Sequence, residues 1–105
     1  MAPPGPALPS ISAMESLVLE LLQGKERFGL ELVSASDGRL KRGSVYVTLA
    51  RMEGKGFVES WQEPRPPGAI GLPRRLYRAT PYGLKVLTAY RRLHQALSLR
   101  PEEAH

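Results

Sequence analysis

Apolar residues begin to recur at helical spacing from Ile11. Met14, Leu17, Val18, Leu21 and Leu22 repeat every three or four positions, as on one side of an amphipathic helix. Ser12 or Ser10 suits the N-cap, Glu15 sits in the first turn, and Gly24 offers a C-cap. Leu19 adds a second apolar side, so this helix is expected to pack on two neighbours, one of which could be another subunit. A second, short helix is predicted from about Phe28 to Ser36, with Phe28, Leu32, Val33 and Ala35 on its buried side and Asp37-Gly38 ending it. After a linker, Arg39-Leu40-Lys41-Arg42, a third helix runs from about Gly43 to Gly54. Its Val45, Leu49 and Met52 share one side.

The period then changes. Phe57 to Glu63 reads as a strand, Pro64 to Pro73 as an irregular proline- and glycine-rich loop, and Arg74 to Ala79 as the antiparallel return. In the return strand Leu76 and Arg78 point to one face, Arg75, Tyr77 and Ala79 to the other. Thr80-Pro81 opens a last helix by a capping hydroxyl and a proline at the first helical position. That helix spans 81–98, with Leu84, Val86, Leu87, Tyr90, Leu93 and Leu97 on a broad apolar face and Lys85, Arg91 and Arg92 toward the outside. The expected organisation is a disordered leader over 1–10, one folded domain over 11–98 and a frayed tail over 99–105. Three helices followed by a hairpin is the element order of a winged helix-turn-helix domain. The fold class is thus α+β, mostly α, with a two-stranded wing and a C-terminal helix whose broad face has more apolar residues than a single small domain needs, a candidate dimerisation helix.

Composition sharpens this picture. The 105 residues carry a net charge of +5, and the fifteen cations are eleven arginines and four lysines. Guanidinium forks match phosphate and guanine geometry, so composition favours a polyanionic partner, nucleic acid first and a membrane surface second. The plain alternative is codon bias toward arginine. The third helix makes double-stranded DNA the expected form of that partner. There is no cysteine, which excludes disulfide scaffolds, thiolate zinc sites and cysteine nucleophiles and agrees with a reducing, cytoplasmic setting. No apolar run reaches the roughly 20 residues of a membrane span, and the leader has no cationic start for a secretion signal. His94 and His105 are too far apart to suggest a metal pair. Paired carboxylates occur only at Glu102-Glu103, and no serine sits in a nucleophile elbow. Neither catalysis, a metal nor a cofactor is expected.

The third helix concentrates the candidate chemistry. With about 100° per residue, Ser44, Val47, Thr48, Arg51 and Lys55 fall opposite Val45. Small residues near the helix start would let it enter a major groove about 12 Å wide. Hydroxyls and exposed amides there can bind phosphate. Lys41 and Arg42 precede the helix and would meet the DNA backbone, and Arg51 could reach guanine or phosphate. From Arg39 to Lys55 five cations face one anion, Glu53. The plain alternative is a solvated helix face with a basic bias.

Three blocks, in order, resemble the PadR family of bacterial transcription regulators. They are Phe28-Gly29-Leu30-Glu31-Leu32; Gly43-Ser44-Val45-Tyr46 with Leu49 through Val58; and Arg74 through Gly83. The resemblance covers about Ser16 to Leu97. Val47 stands where the family often has proline, and Leu30 where it often has tyrosine.

The resemblance implies a dimeric winged-helix repressor of the short form, without a large C-terminal domain. It carries Ser44, Tyr46 and Arg51 over as DNA-contact candidates, with Arg65, Arg74 and Arg75 as wing candidates. Tyr46 lies on the flank of its helix, where it either packs between helices or touches phosphate. Arg74 and Arg75 are alternatively solvated strand residues near Glu59 and Glu63. Trp61 reads as a half-buried strand residue. The drug-binding tryptophan of some relatives lies on a helix, so that role does not transfer.

The dimer is expected to use Met14, Leu17, Leu21, Tyr90, Leu93 and Leu97. A small-molecule effector is left open. The functional alternative is a winged-helix protein-interaction module whose basic face binds an acidic protein partner.

Overall fold

The computed structural model describes residues 9–98. The chain order is α1 (Ala13–Leu21), β1 (Arg27–Phe28), α2 (Gly29–Ala35), α3 (Val45–Gly54), β2 (Val58–Gln62), β3 (Arg75–Ala79) and α4 (Pro81–Ser98). The mixed, mostly helical class and the winged-helix order are those read from the sequence. Of the expected leader, Pro9 and Ser10 are exposed coil and 1–8 lie outside the described residues, as does the expected tail 99–105.

Local chemistry sets the boundaries. Ser12 caps α1 in a reciprocal box: Glu15 N donates to Ser12 Oγ at 3.1 Å, and Ser12 N to Glu15 Oε1 at 2.8 Å. At α2 only the return half exists, Phe28 N donating to Glu31 Oε1 at 2.8 Å. Asp37 and Gly38, with φ of 55° and 85°, end that segment. Thr80 Oγ1 accepts from Gly83 N at 2.9 Å and starts α4 with Pro81 as its first residue.

The strands form one antiparallel sheet in the order β1-β3-β2. Val58 pairs with Ala79 and Gln62 with Arg75 at the two ends of the hairpin. Leu17, Val18 and Leu19 from α1 and Leu22 at its C-cap meet Leu32, Val45, Leu49, Met52, Phe57, Tyr77, Val86 and Leu87 in a single core. The α3 side predicted to be buried is buried, each of Val45, Leu49 and Met52 being 0% exposed.

Several expectations are corrected. Phe28 does not begin the second helix; it belongs to β1, pairs with Leu76 and leaves α2 to start at Gly29. The sheet therefore has three strands, not two. Leu40, within the charged linker, is buried in the core, because Leu40 N donates to Ser36 Oγ at 2.9 Å and the turn folds inward. Arg91 does not point away: it reaches Glu20 Oε1 at 3.4 Å and Gln23 Oε1 at 3.1 Å, fixing α4 to α1. Leu17, expected at a dimer interface, is buried in the chain's own core, since it lies on the inward side of α1.

Candidate nucleic-acid interface

The α2–turn–α3 unit is held from both ends. Buried Ser36 donates to Val33 O at 2.8 Å while accepting from Leu40 N, so both polar roles of its hydroxyl are used and the turn is fixed. At the other end Tyr46 lays its ring on Gly29. A Cβ there would stand 2.5 Å from Cε1, so the ring can rest in this position only because position 29 has no side chain. Tyr46 thus packs between the helices while remaining 49% exposed.

The opposite face of α3 is open. Ser44, Val47, Ala50 and Arg51 are exposed and Thr48 is half-buried. Ser44 makes no capping bond with its hydroxyl. Lys41 and Arg42 are exposed just before the helix. Among the described residues, Lys41, Arg42 and Arg51 form no ion pair. Their charges are available to a ligand.

The wing adds one cation to this surface. On the hairpin face that carries Tyr77, Arg75 Nε donates to Ser60 Oγ at 2.8 Å, and the Ser60 hydroxyl donates to Glu53 near the end of α3. This chain of hydrogen bonds ties the wing to α3 and orients the exposed Arg75 guanidinium. Tyr77 lies beneath it. Burial raises its phenol pKa above the ordinary 10.0, Arg75 opposes the rise, and Glu53 and Tyr46 add to it.

The other candidate cations have internal partners. Arg74 reaches both oxygens of Glu63 at 3.2 Å and lies 4.1 Å above the Phe28 ring, joining the hairpin to β1. Arg78, on the outer hairpin face, reaches Glu59 at 2.6 Å and stacks 5.0 Å from Trp61. Arg65 donates to Ile70 O at 2.8 Å and Gly71 O at 2.7 Å and closes the wing tip.

Lys55 corrects the helical-wheel expectation. Its ammonium meets Glu15 Oε1 and Oε2 at 2.9 and 3.0 Å and Ser10 O at 2.9 Å, so its three donors are used within the fold. Lys41, Arg42, Ser44, Val47 and Arg51 are thus exposed on or just before α3, Thr48 is half-buried on it, and Arg75 is exposed on the wing where Ser60 and Glu53 tie it to the end of that helix. Lys55, Arg65 and Arg74 have partners within the fold.

Sequence reasoning passed over Ser60 and Glu53, which act through Arg75, and two tip aliphatics, Ile70 and Leu72, which are 97% and 90% exposed. Only their place in a proline-rich loop marked them. Of the proposed dimer residues, Met14, Leu93 and Leu97 are exposed and Leu21 and Tyr90 half-buried. Among the described residues no group of acidic or histidine side chains could hold a metal. No described helix is long and apolar enough to cross a membrane.

Comparison with known proteins gives a consistent result. The transcriptional regulator PadR-like family model matches residues 18–89. The chain is similar to a PadR family transcription regulator from Clostridium difficile R20291, with a TM-score of 0.70 and 25% identity over 82% of this chain and 91% of that one. A PadR family transcriptional regulator from Eggerthella lenta DSM 2243 gives a TM-score of 0.68 and 28% identity over 80% and 73% of the two chains. Bacillus subtilis PadR, solved in complex with operator DNA, shares the fold at a TM-score of 0.65 and 19% identity, over 74% of this chain and 46% of that one. This chain thus spans less than half of the Bacillus protein. No curated protein matches at the sequence level.

Proposed function

The chain belongs to the PadR-like family of transcriptional regulators, a non-enzymatic family, and on that premise we propose that it binds operator duplex DNA in the cytoplasm as a homodimer and represses transcription. The observation that carries this reading is the open face of α3. Ser44, Val47 and Arg51 are exposed, Arg51 lacks an ion-pair partner among the described residues, and Arg75 is oriented beside the helix from the wing. The small residues at the start of α3 let it approach the floor of the major groove. Arg51 then reads a guanine edge or a phosphate, while Lys41, Arg42 and Arg75 meet the backbone on either side. The operator DNA bound by Bacillus subtilis PadR supports the same ligand class here.

Dimerisation follows from α4. Val86, Tyr90, Leu93 and Leu97 recur at intervals of four, three and four residues, the spacing of a coiled-coil seam. Val86 is buried by the core, whereas Leu93 and Leu97 are 52% and 72% exposed. A second copy covers the exposed end of that seam. A two-fold pair would present two α3 helices about 34 Å apart, one DNA turn.

The test is fluorescence anisotropy with duplexes tiled across the upstream region of the protein's own gene, at two salt concentrations, against a scrambled control. One tile binding about 10³-fold tighter than control identifies an operator. Neutralising Arg42, Arg51 and Arg75 together should abolish that binding. Uniformly weak binding that vanishes with salt would reduce the surface to a basic patch and favour an acidic protein partner instead.

A further inference from the structure

The wing tip is built in an unusual way for a surface loop. Pro66 to Ala69 form a turn, Ala69 N donating to Pro66 O at 3.2 Å with Gly68 at φ 82°, the form in which glycine is favoured at the third position. Gly71, at φ 96°, bends the chain again. Arg65 bridges the carbonyls of Ile70 and Gly71 and so locks the returning arm against the outgoing one. This fixed frame projects two branched aliphatics, Ile70 at 97% and Leu72 at 90% exposure. Single exposed aliphatics are ordinary. Two of them, held almost fully in water on a tip stiffened by proline and by a guanidinium clamp, call for a ligand. The cation of the tip, Arg65, is spent on the loop itself, so the outermost chemistry is apolar.

We propose that Ile70 and Leu72 form a wedge that enters the DNA minor groove and partly unstacks a flexible base step beside the site read by α3. The proposal rests on the DNA-binding reading and deepens it. The tip is continuous with the Arg75 side of the hairpin, which is tied to α3 through Ser60 and Glu53. Of the three cations from Pro64 to Arg75, Arg65 and Arg74 are engaged within the hairpin, and Arg75 alone, at the root of the tip, remains to meet a phosphate at the groove edge. Minor-groove proteins use isoleucine, leucine and proline in this way, pushing apolar side chains between base steps and kinking the duplex. Pyrimidine–purine steps such as TA and CA yield most easily. The wedge would therefore give sequence preference at a position that no hydrogen bond reads. A membrane surface suits the tip less well, because it carries neither the tryptophan nor the tyrosine that anchor at lipid interfaces.

The experiment uses the full chain and the upstream tile that it binds, with 2-aminopurine replacing the adenine of each TA or CA step in turn. Binding should raise the fluorescence at one symmetric pair of steps. The double variant I70S/L72S should lose that rise and bind the tile about 10-fold or more weakly. Its fold should be unaffected, because both side chains lie in solvent. R51A should bind more weakly yet keep the rise at saturation. A duplex that the wild type binds with no rise at any step, or a rise that survives I70S/L72S, overturns the wedge and leaves the DNA-binding reading intact. Failure of the wild type to prefer any tile defeats both. Loss of binding to phosphatidylserine vesicles in I70S/L72S, with DNA binding unchanged, would overturn the wedge and assign the tip to a membrane.

Discussion

Gly83 lies against the backbone of Phe57 so closely that a Cβ on it would stand 2.1 Å from the Phe57 carbonyl oxygen. That oxygen also accepts from Thr80 N at 3.0 Å, and Thr80 Oγ1 donates to Gly56 O at 2.6 Å. The start of α4 is therefore seated on the residues that lead into β2. The obstacle to any side chain at 83 is backbone already held by hydrogen bonds, which cannot give way cheaply. Gly83→Ala should cost about 3 kcal/mol or more, although alanine is the better helix former. Urea unfolding followed by Trp61 fluorescence will measure it, and a loss under 1 kcal/mol would contradict the packing described.

Gly29 makes the informative contrast. Its neighbour is the far end of the Tyr46 side chain, half in solvent. A Cβ at 29 can therefore push the ring outward, and Gly29→Ala should cost no more than about 1 kcal/mol. In combination with Tyr46→Ala the clash disappears. The double variant should be more stable than the sum of the single changes predicts, by about 0.5–1 kcal/mol. Additive values would mean that the ring does not rest on Gly29.

These contacts mark the limit of what the sequence makes legible. Periodicity finds the buried side of α3, because Val45, Leu49 and Met52 need only helical geometry to align. The Ser12–Glu15 box and the Thr80-Pro81 start are equally local. The two-residue strand β1 has no pattern of its own: Arg27 and Phe28 become a strand only by pairing with Tyr77 and Leu76, far along the chain. Leu40 hides among cations because a hydroxyl, Ser36, folds its linker inward. Counting charges finds a basic region, but not that Lys55 and Arg65 have partners within the fold. For Arg74 the strand pairing offers Glu63 only as one of two alternatives, and the structure shows the pair. Which cations remain for a ligand depends on carboxylates and carbonyls brought close by tertiary structure.

Lys55 and Arg51 should separate cleanly on this basis. Glu15 is 1% exposed and depends on Lys55 for its counter-charge, while the Lys55 side chain is 29% exposed. Lys55→Met should lower stability by about 1–2 kcal/mol, at the low end for a buried carboxylate because solvent screens the ammonium. It should leave the salt dependence of DNA binding unchanged. Arg51→Ala should do the reverse, with stability within about 0.5 kcal/mol of the wild type and a binding loss of about 1–3 kcal/mol on the operator if a guanine is read. A shallower salt slope in Lys55→Met would return that lysine to the DNA-facing set.

Tyr77 predicts an alkaline limit. Its pKa in the folded chain lies above 10.0, so the folded state holds the phenolic proton more tightly than the unfolded state does. The associated stability is fully present below pH 10 and falls as pH rises from there through the folded pKa. Tyr77→Phe removes this proton and its share of the slope. Denaturant titrations of both proteins across pH 9 to 11 should show the wild type losing stability relative to Tyr77→Phe above pH 10. Parallel curves would mean that the phenol titrates alike in both states.

The dimer can be tested without disturbing the monomer. Leu93 and Leu97 are exposed on α4, beyond the last residues, Val86 and Leu87, that it gives to the core. Carboxylates at both positions would face each other across a two-fold axis, where desolvation and like-charge repulsion oppose association. Leu93→Glu with Leu97→Glu should therefore give a folded monomer in sedimentation equilibrium, with a helical circular dichroism spectrum like that of the wild type. Each monomer would keep its α3 face but lose the second half-site, so operator affinity should fall about 10²-fold or more, through loss of the effective concentration that pairing provides. A double variant that sediments as a dimer would place the seam elsewhere. One that is monomeric yet binds the operator undiminished would mean that a single copy suffices for recognition.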